Sequence, residues 1–294
     1  MRRRRLFDWW KQGSTTRVVQ HVDAAPGDAQ VEVSLPQYSR GQVILVWGAA
    51  AAPMALLGWV ANPLVAGPID QAAGIPGTAR ILLMTLGLVW QFVLVLLLLR
   101  VEAGSLSWPV LRDRLWLRAP RHPRTGQPGR RLWLWLVPLV LLYPLTTFTV
   151  SPVLNDIWLA WFPYLAEPPE FSLSRLLDEP VNRELLVGAW WFYALFLLLA
   201  LFNTVLGEEF LFRGLLLPRM QGAFGRVDWL ANGTLFGLYH LHQPWGIPGG
   251  ILVGTLFFAL PTRIFRSAWM GIIVHSGQSL FFAIVVLQLI LGRA

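Results

Sequence analysis

The sequence predicts an all-α, polytopic integral membrane protein with about seven transmembrane helices, six to eight being compatible with its blocks. Three observations predict it. The apolar residues come in blocks of about twenty, the length that crosses a ~30 Å hydrocarbon core. Of 294 residues, 55% are hydrophobic and only 14% charged, whereas a soluble domain carries about 25% charged residues. The charges also segregate by sign between successive loops, as they do around membrane spans.

Each element follows in order. Residues 1–41 read as a basic cytosolic tail, with Arg2 to Arg5 followed by Phe7, Trp9 and Trp10. A secretory signal needs its apolar region next to the charges, but here the first apolar run starts near Val43. The candidate spans are about 42–65, 79–100, 132–150, 186–206, 228–244, 250–265 and 268–291. The fifth and sixth are short and interrupted by Gly or Pro. Loop 100–131 carries eight arginines against Glu102 and Asp113, while loop 151–185 carries six acids against Arg175 and Arg183. The positive-inside rule puts the first loop in the cytoplasm and the second outside. Two amphipathic stretches, 106–117 and 157–165, read as interfacial helices. The organisation expected is therefore a tail (1–41), an N-terminal membrane region with its two loops (42–185) and a C-terminal membrane core (186–294). The expected setting is a bacterial inner membrane with the N-terminus cytoplasmic.

Composition excludes several chemistries. The net charge is +8 and every basic residue except Lys11 is Arg. In a membrane protein that charge belongs to cytoplasmic loops, so no nucleic-acid partner is expected. With no cysteine, disulfides, thiolate metal sites and Cys nucleophiles are excluded. No internal repeat is visible, which argues against an inverted-repeat transporter. HExxH, GxSxG and P-loop motifs are absent.

What remains is a set of ionisable residues in apolar surroundings. Glu208 and Glu209 lie between the apolar runs 190–206 and 211–217. A carboxylate at a span centre costs about 2.5–3.5 kcal/mol on insertion scales and marks function by default. Glu209 and Arg213 are spaced i,i+4 and can pair on one face. Glu208 is turned by about 100° from Glu209 and lacks such a partner, so it reads as the free carboxylate. His240 and His275 lie inside the fifth and seventh spans. Asn232, Phe236 and His240 share a face, and His275 shares one with Gln278 and Ser279. His242 faces nearly away from His240 and reads as structural or supporting. A Glu, two His and a neutral donor can hold and activate a water, with Glu as general base and a donor for the oxyanion. The same Glu208, His240 and His275 are also possible ligands of a divalent metal such as zinc.

These residues resemble the CAAX prenyl protease and bacteriocin-processing (CPBP, or Abi) family. Its EExxxR motif is matched by Glu208, Glu209 and Arg213, its FxxxH by Phe236 and His240, and its HxxxN by His275 with Ser279 in the last place. The resemblance covers about residues 186–291. It implies a helical membrane core with a polar cavity, open to the cytoplasm in the prenyl-protease members. It implies peptide-bond hydrolysis in a membrane-associated substrate, with Glu208 activating water and His240 and His275 assisting. Water bound to metal and water activated by glutamate alone both stay open. Glu209, Arg213 and Phe236 would shape the site. Gln278 or Ser279 would replace the missing Asn. The expected partners are membrane lipid and a peptide or membrane-anchored protein. Two rival readings remain: a proton- or cation-coupled transporter, and a non-catalytic scaffold or immunity protein of the same fold.

Overall fold

The computed structural model describes residues 35–172 and 179–293. The basic tail expected over 1–41 thus lies almost wholly outside the described residues. Among those residues the chain is helical, with a lone bridge between Arg121 and Pro128. Nine helices carry the architecture. They are α1 (Arg40–Ala73), α2 (Thr78–Ala103), α3 (Trp108–Arg114), α4 (Arg130–Trp161), α5 (Pro180–Leu186), α6 (Trp190–Arg219), α7 (Asp228–Tyr239), α8 (Pro244–Phe265) and α9 (Trp269–Ile290). Six of them, α1, α2, α4, α6, α8 and α9, are long and apolar enough to cross a membrane.

The fifth expected span is shorter than its apolar run. α7 has 12 residues, about 18 Å of rise, which does not cross ~30 Å of hydrocarbon. The chain leaves α7 at His240, and α8 starts at Pro244, six residues before the expected 250. α7 and α8 thus form a hairpin inside the bundle. Gly233 and Gly237 allow it: a Cβ on Gly233 would sit 2.1 Å from Thr255 Oγ1, and one on Gly237 2.5 Å from the Ile251 nitrogen. Small residues four apart bring helix backbones together where apolar burial provides no net drive. The stretch 157–165 is no separate interfacial helix either, because α4 runs on to Trp161. A helix can continue there because its internal hydrogen bonds need no partner from outside.

Local sequence sets the ends. Ser39 and Gln42 form a reciprocal capping box at the start of α1, satisfying amides that helix geometry leaves open. The Asp70 carboxylate accepts from the amides of Gly77 and Ala79, both at 2.8 Å, and so caps α2 from the end of α1. α4 presents its apolar residues outward, with Leu141, Leu145 and Phe148 exposed. A continuous exposed apolar face is lipid-facing surface. Trp135, Trp161 and Trp190, also exposed, stand at helix ends where an aromatic belt sits.

The α6 helix continues past the acidic pair to Arg219. Two wide, π-helical stretches, Phe202–Gly207 and Phe210–Leu216, bracket Glu208 and Glu209. Such insertions often mark functional positions, since they re-aim side chains without ending the helix. α2 packs along this part of α6. Gly207 permits it: a Cβ there would lie 3.0 Å from the Leu88 carbonyl oxygen.

The ends nearest the arginine-rich loop are tied by buried charge. Arg219 binds both Glu102 oxygens, Nε at 3.0 and 3.1 Å and Nη2 at 2.7 Å. The Tyr38 hydroxyl also donates to Glu102. Burial pushes the Tyr38 hydroxyl pKa well above its ordinary value, so it stays a donor. Arg263 binds Asp228 at 2.7 Å, pinning α7 to α8. Glu102 reads as a loop acid in the sequence, yet its side chain is only 4% exposed.

Candidate active site

Three helices bring the expected residues together. Glu208 and Glu209 come from α6, His240 from the turn after α7, and His275 from α9. Arg213 Nη1 meets Glu209 Oε1 at 3.1 Å with both side chains fully buried, as the i,i+4 spacing allows. Arg213 Nη2 donates to the Gly254 carbonyl at 3.2 Å. Its guanidinium lies 4.0 Å from the Phe236 ring centroid, a cation–π contact strengthened by exclusion of water. Phe236 stands edge-on to His240 at 5.0 Å and to His275 at 6.0 Å. It is thus a wedge that spaces the histidines.

Glu209 does more than pair with Arg213. Its Oε1 also lies 3.0 Å from His275 Nδ1. A carboxylate only accepts, so His275 holds its proton on Nδ1 and presents Nε2. The His275 ring stacks on Phe258 at 4.5 Å, which fixes its plane. Gly271 permits the approach: a Cβ there would lie 2.7 Å from Glu209 Oε2. His240 is set in the same way. Its Nδ1 lies 2.9 Å from the Phe236 carbonyl, so Nδ1 donates and Nε2 is turned to Glu208. That Nε2 is 3.9 Å from Glu208 Oε1. A second group that fixes the imidazole tautomer in this way is what a working histidine needs.

Two participants were not singled out from the sequence. The Tyr239 hydroxyl hydrogen-bonds Glu208, and Gln91 Nε2 donates to that hydroxyl at 2.6 Å. Gln91 and Tyr239 are fully buried. The available signal was Gln91 itself, an amide in the middle of an apolar span, where such groups mark contacts. Gln278 accepts a hydrogen bond from Tyr143 at its Oε1, which aims its NH2 elsewhere. Asn232 bonds the Phe212 carbonyl at 2.8 Å, so it joins α7 to α6 and does not reach the histidines. His242 is buried and stacks 5.6 Å from His240.

A cavity of about 920 Å³ is lined by Glu208, His240, His242, His275, Gln278 and Ser279. Glu209 and Arg213 lie behind this lining. Among the described residues, no group of three or more His, Asp or Glu is arranged to hold a metal ion. Glu209 takes the Nδ1 side of His275, and Glu208 is engaged by the Tyr239 hydroxyl and lies 3.9 Å from His240. The donor set does not fit a three-ligand metal centre in this arrangement.

Fold and site together define a polytopic helical membrane protein with an intramembrane glutamate–histidine centre in a polar cavity. Residues 189–287 match the family model described as type II CAAX prenyl endopeptidase Rce1-like. This C-terminal membrane core is thus similar to the type II CAAX prenyl endopeptidases, in agreement with the three motifs. No curated protein and no solved structure matches the chain significantly.

Proposed function

We propose that this protein is an endopeptidase that hydrolyses a peptide bond of a membrane-associated substrate, with Glu208 as general base. The observation that carries the reading is the facing pair at the cavity wall, Glu208 Oε1 and His240 Nε2, 3.9 Å apart. Both are acceptors. A water donating one proton to each is held with a lone pair outward, toward a substrate carbonyl carbon. Glu208 takes the proton as the carbon–oxygen bond forms, then returns it to the amine as the carbon–nitrogen bond breaks. Tyr239, itself held by Gln91, keeps the Glu208 carboxylate in position. His275 is oriented by Glu209 and presents Nε2 to the cavity, and the Gln278 NH2 donates to the developing oxyanion. Such electrostatic aid is worth about 2.7–4 kcal/mol for one donor. Membrane lipid surrounds the site, and the substrate is a peptide or membrane-anchored protein.

The test compares peptide termini in membranes of cells making equal amounts of the wild type and Glu208→Gln. Termini present only with the wild type are the expected result. Identical termini, with candidate substrates present, would overturn the reading.

A further inference from the structure

We infer that the cavity takes its substrate from the face of the membrane opposite the arginine-rich loop, so that the peptide bond presented to Glu208 belongs to an extracytoplasmic segment. The inference rests on the peptidase reading only for what enters the cavity; the route of entry stands on geometry.

With α7 as the short return leg between α6 and α8, the alternating helix directions divide the connections into two sets, and contacts agree: Ile75 packs with Leu186, Ala189 and Ile290, while the Ala268 amide donates to the Trp116 carbonyl and the Ser267 hydroxyl to the Arg118 carbonyl. The linker at 74–77, loop 162–189 and the C-terminal residues after α9 share one face. Loop 104–129, segment 220–227 and turn 266–268 share the other. The cavity draws its wall from connections of the first set alone: Gly77 from the linker, and Glu167, Phe171, Ser172 and Asn182 from the long loop. No residue of 104–129, 220–227 or 266–268 lines it.

The other direction is closed. Every residue of α6 from Leu211 to Arg219, and Met220 after it, is buried. Beyond the catalytic carboxylates in that direction stand Arg213, then the Arg219–Glu102 ion pair at 2.7 Å. A peptide arriving from that side would have to part a buried charge pair, and breaking such a pair is strongly unfavourable.

Charge says which face is which. The closed face carries Arg112, Arg114, Arg118, Arg121 and Arg124 in one connection, and the open face carries Glu167, Glu179 and Glu184 in another. Basic connections stay in the cytoplasm. The open face is therefore the outer one, unlike the cytoplasmic opening that the family resemblance implied.

The absence of cysteine from the chain makes the test clean, since each introduced thiol is the only one. Ser172→Cys places it at the mouth and Ser279→Cys deep in the cavity, each change replacing one oxygen by sulfur. Thr125→Cys marks the arginine-rich loop, where Thr125 is exposed. Intact cells are treated with a membrane-impermeant maleimide, and then again after permeabilisation. The expected result is that Ser172→Cys and Ser279→Cys react in intact cells as fully as after permeabilisation, whereas Thr125→Cys reacts only after it. Reaction of Ser279→Cys only after permeabilisation, or of Thr125→Cys in intact cells, overturns the inference. A variant that does not accumulate is replaced by Asn203→Cys, also on the cavity wall. Labelling needs no proteolysis, so loss of this inference and loss of the peptidase reading are separate outcomes.

Discussion

Two buried carboxylate clusters share helix α6, and they are built differently. At the closed face, Glu102 has each oxygen engaged: Arg219 forks onto both within 3.1 Å, Tyr38 adds a donor and Arg114 approaches at 3.5 Å. At the cavity, Glu208 stands 3.9 Å from His240, and Glu209 Oε2 is buried with no hydrogen-bond partner. A saturated buried pair locks elements together, whereas an under-satisfied one holds interaction capacity in reserve. The first cluster therefore reads as a clamp and the second as a reaction centre, although both place carboxylates beside arginine in low dielectric. Burial of an acid in a membrane core is not by itself a sign of catalysis; the distinction lies in how many of its lone pairs are already used.

Substitutions sharpen or break that contrast. Glu208→Gln is isosteric and removes the base, so cleavage should fall by about 10²–10⁴-fold with thermal stability unchanged. A matched loss of stability in thermal unfolding of the purified protein would make Glu208 part of a clamp. Glu102→Gln should do the reverse, costing about 3–5 kcal/mol by leaving Arg219 buried without its counter-charge. The folded fraction should keep its cleavage rate, which active-site titration alongside unfolding will check. Glu209→Gln should fall between the two, because Glu209 serves Arg213 as a structural partner and His275 as an orienting one. Both unfolding temperature and kcat are expected to drop. Tyr239→Phe deletes one neutral hydrogen bond to Glu208, worth about 0.5–1.5 kcal/mol. It should slow kcat by up to roughly tenfold and leave KM nearly unchanged. The smallest effects belong to the third motif. Gln278→Ala should reduce kcat and Ser279→Ala should reduce it less, since the Gln278 amide is held by Tyr143. Unchanged kinetics in both variants would remove these residues from oxyanion binding.

Much of the site was legible because it rests on local or compositional signals. Glu208, His240 and His275 stand out as ionisable groups in apolar runs, and the Glu209–Arg213 pair follows from i,i+4 spacing, since one helical turn brings them together whatever surrounds the helix. The contact between Glu209 and His275 was not legible. It spans 66 positions in sequence and depends on how α6 and α9 are rotated against each other. Gln91 and Tyr239 were missed for the same reason. The role of Glu102, an acid of the arginine-rich loop in the sequence, was not legible either, because its partner Arg219 lies 117 residues away.

The sequence alone determined the class of fold, and it supplied the expected sidedness of the loops and the candidate reactive groups. These follow from hydrophobic length, charge distribution and helical periodicity, each of which acts over a few residues or over a whole segment. Tertiary structure decided which carboxylate is clamped and which is left available, which imidazole nitrogen faces the cavity, and on which side the cavity opens. Those properties depend on helix rotation and depth within a few ångströms, set here by close approach at Gly207, Gly233, Gly237 and Gly271. No pattern within a single helix encodes them, because the atoms that define them belong to different helices.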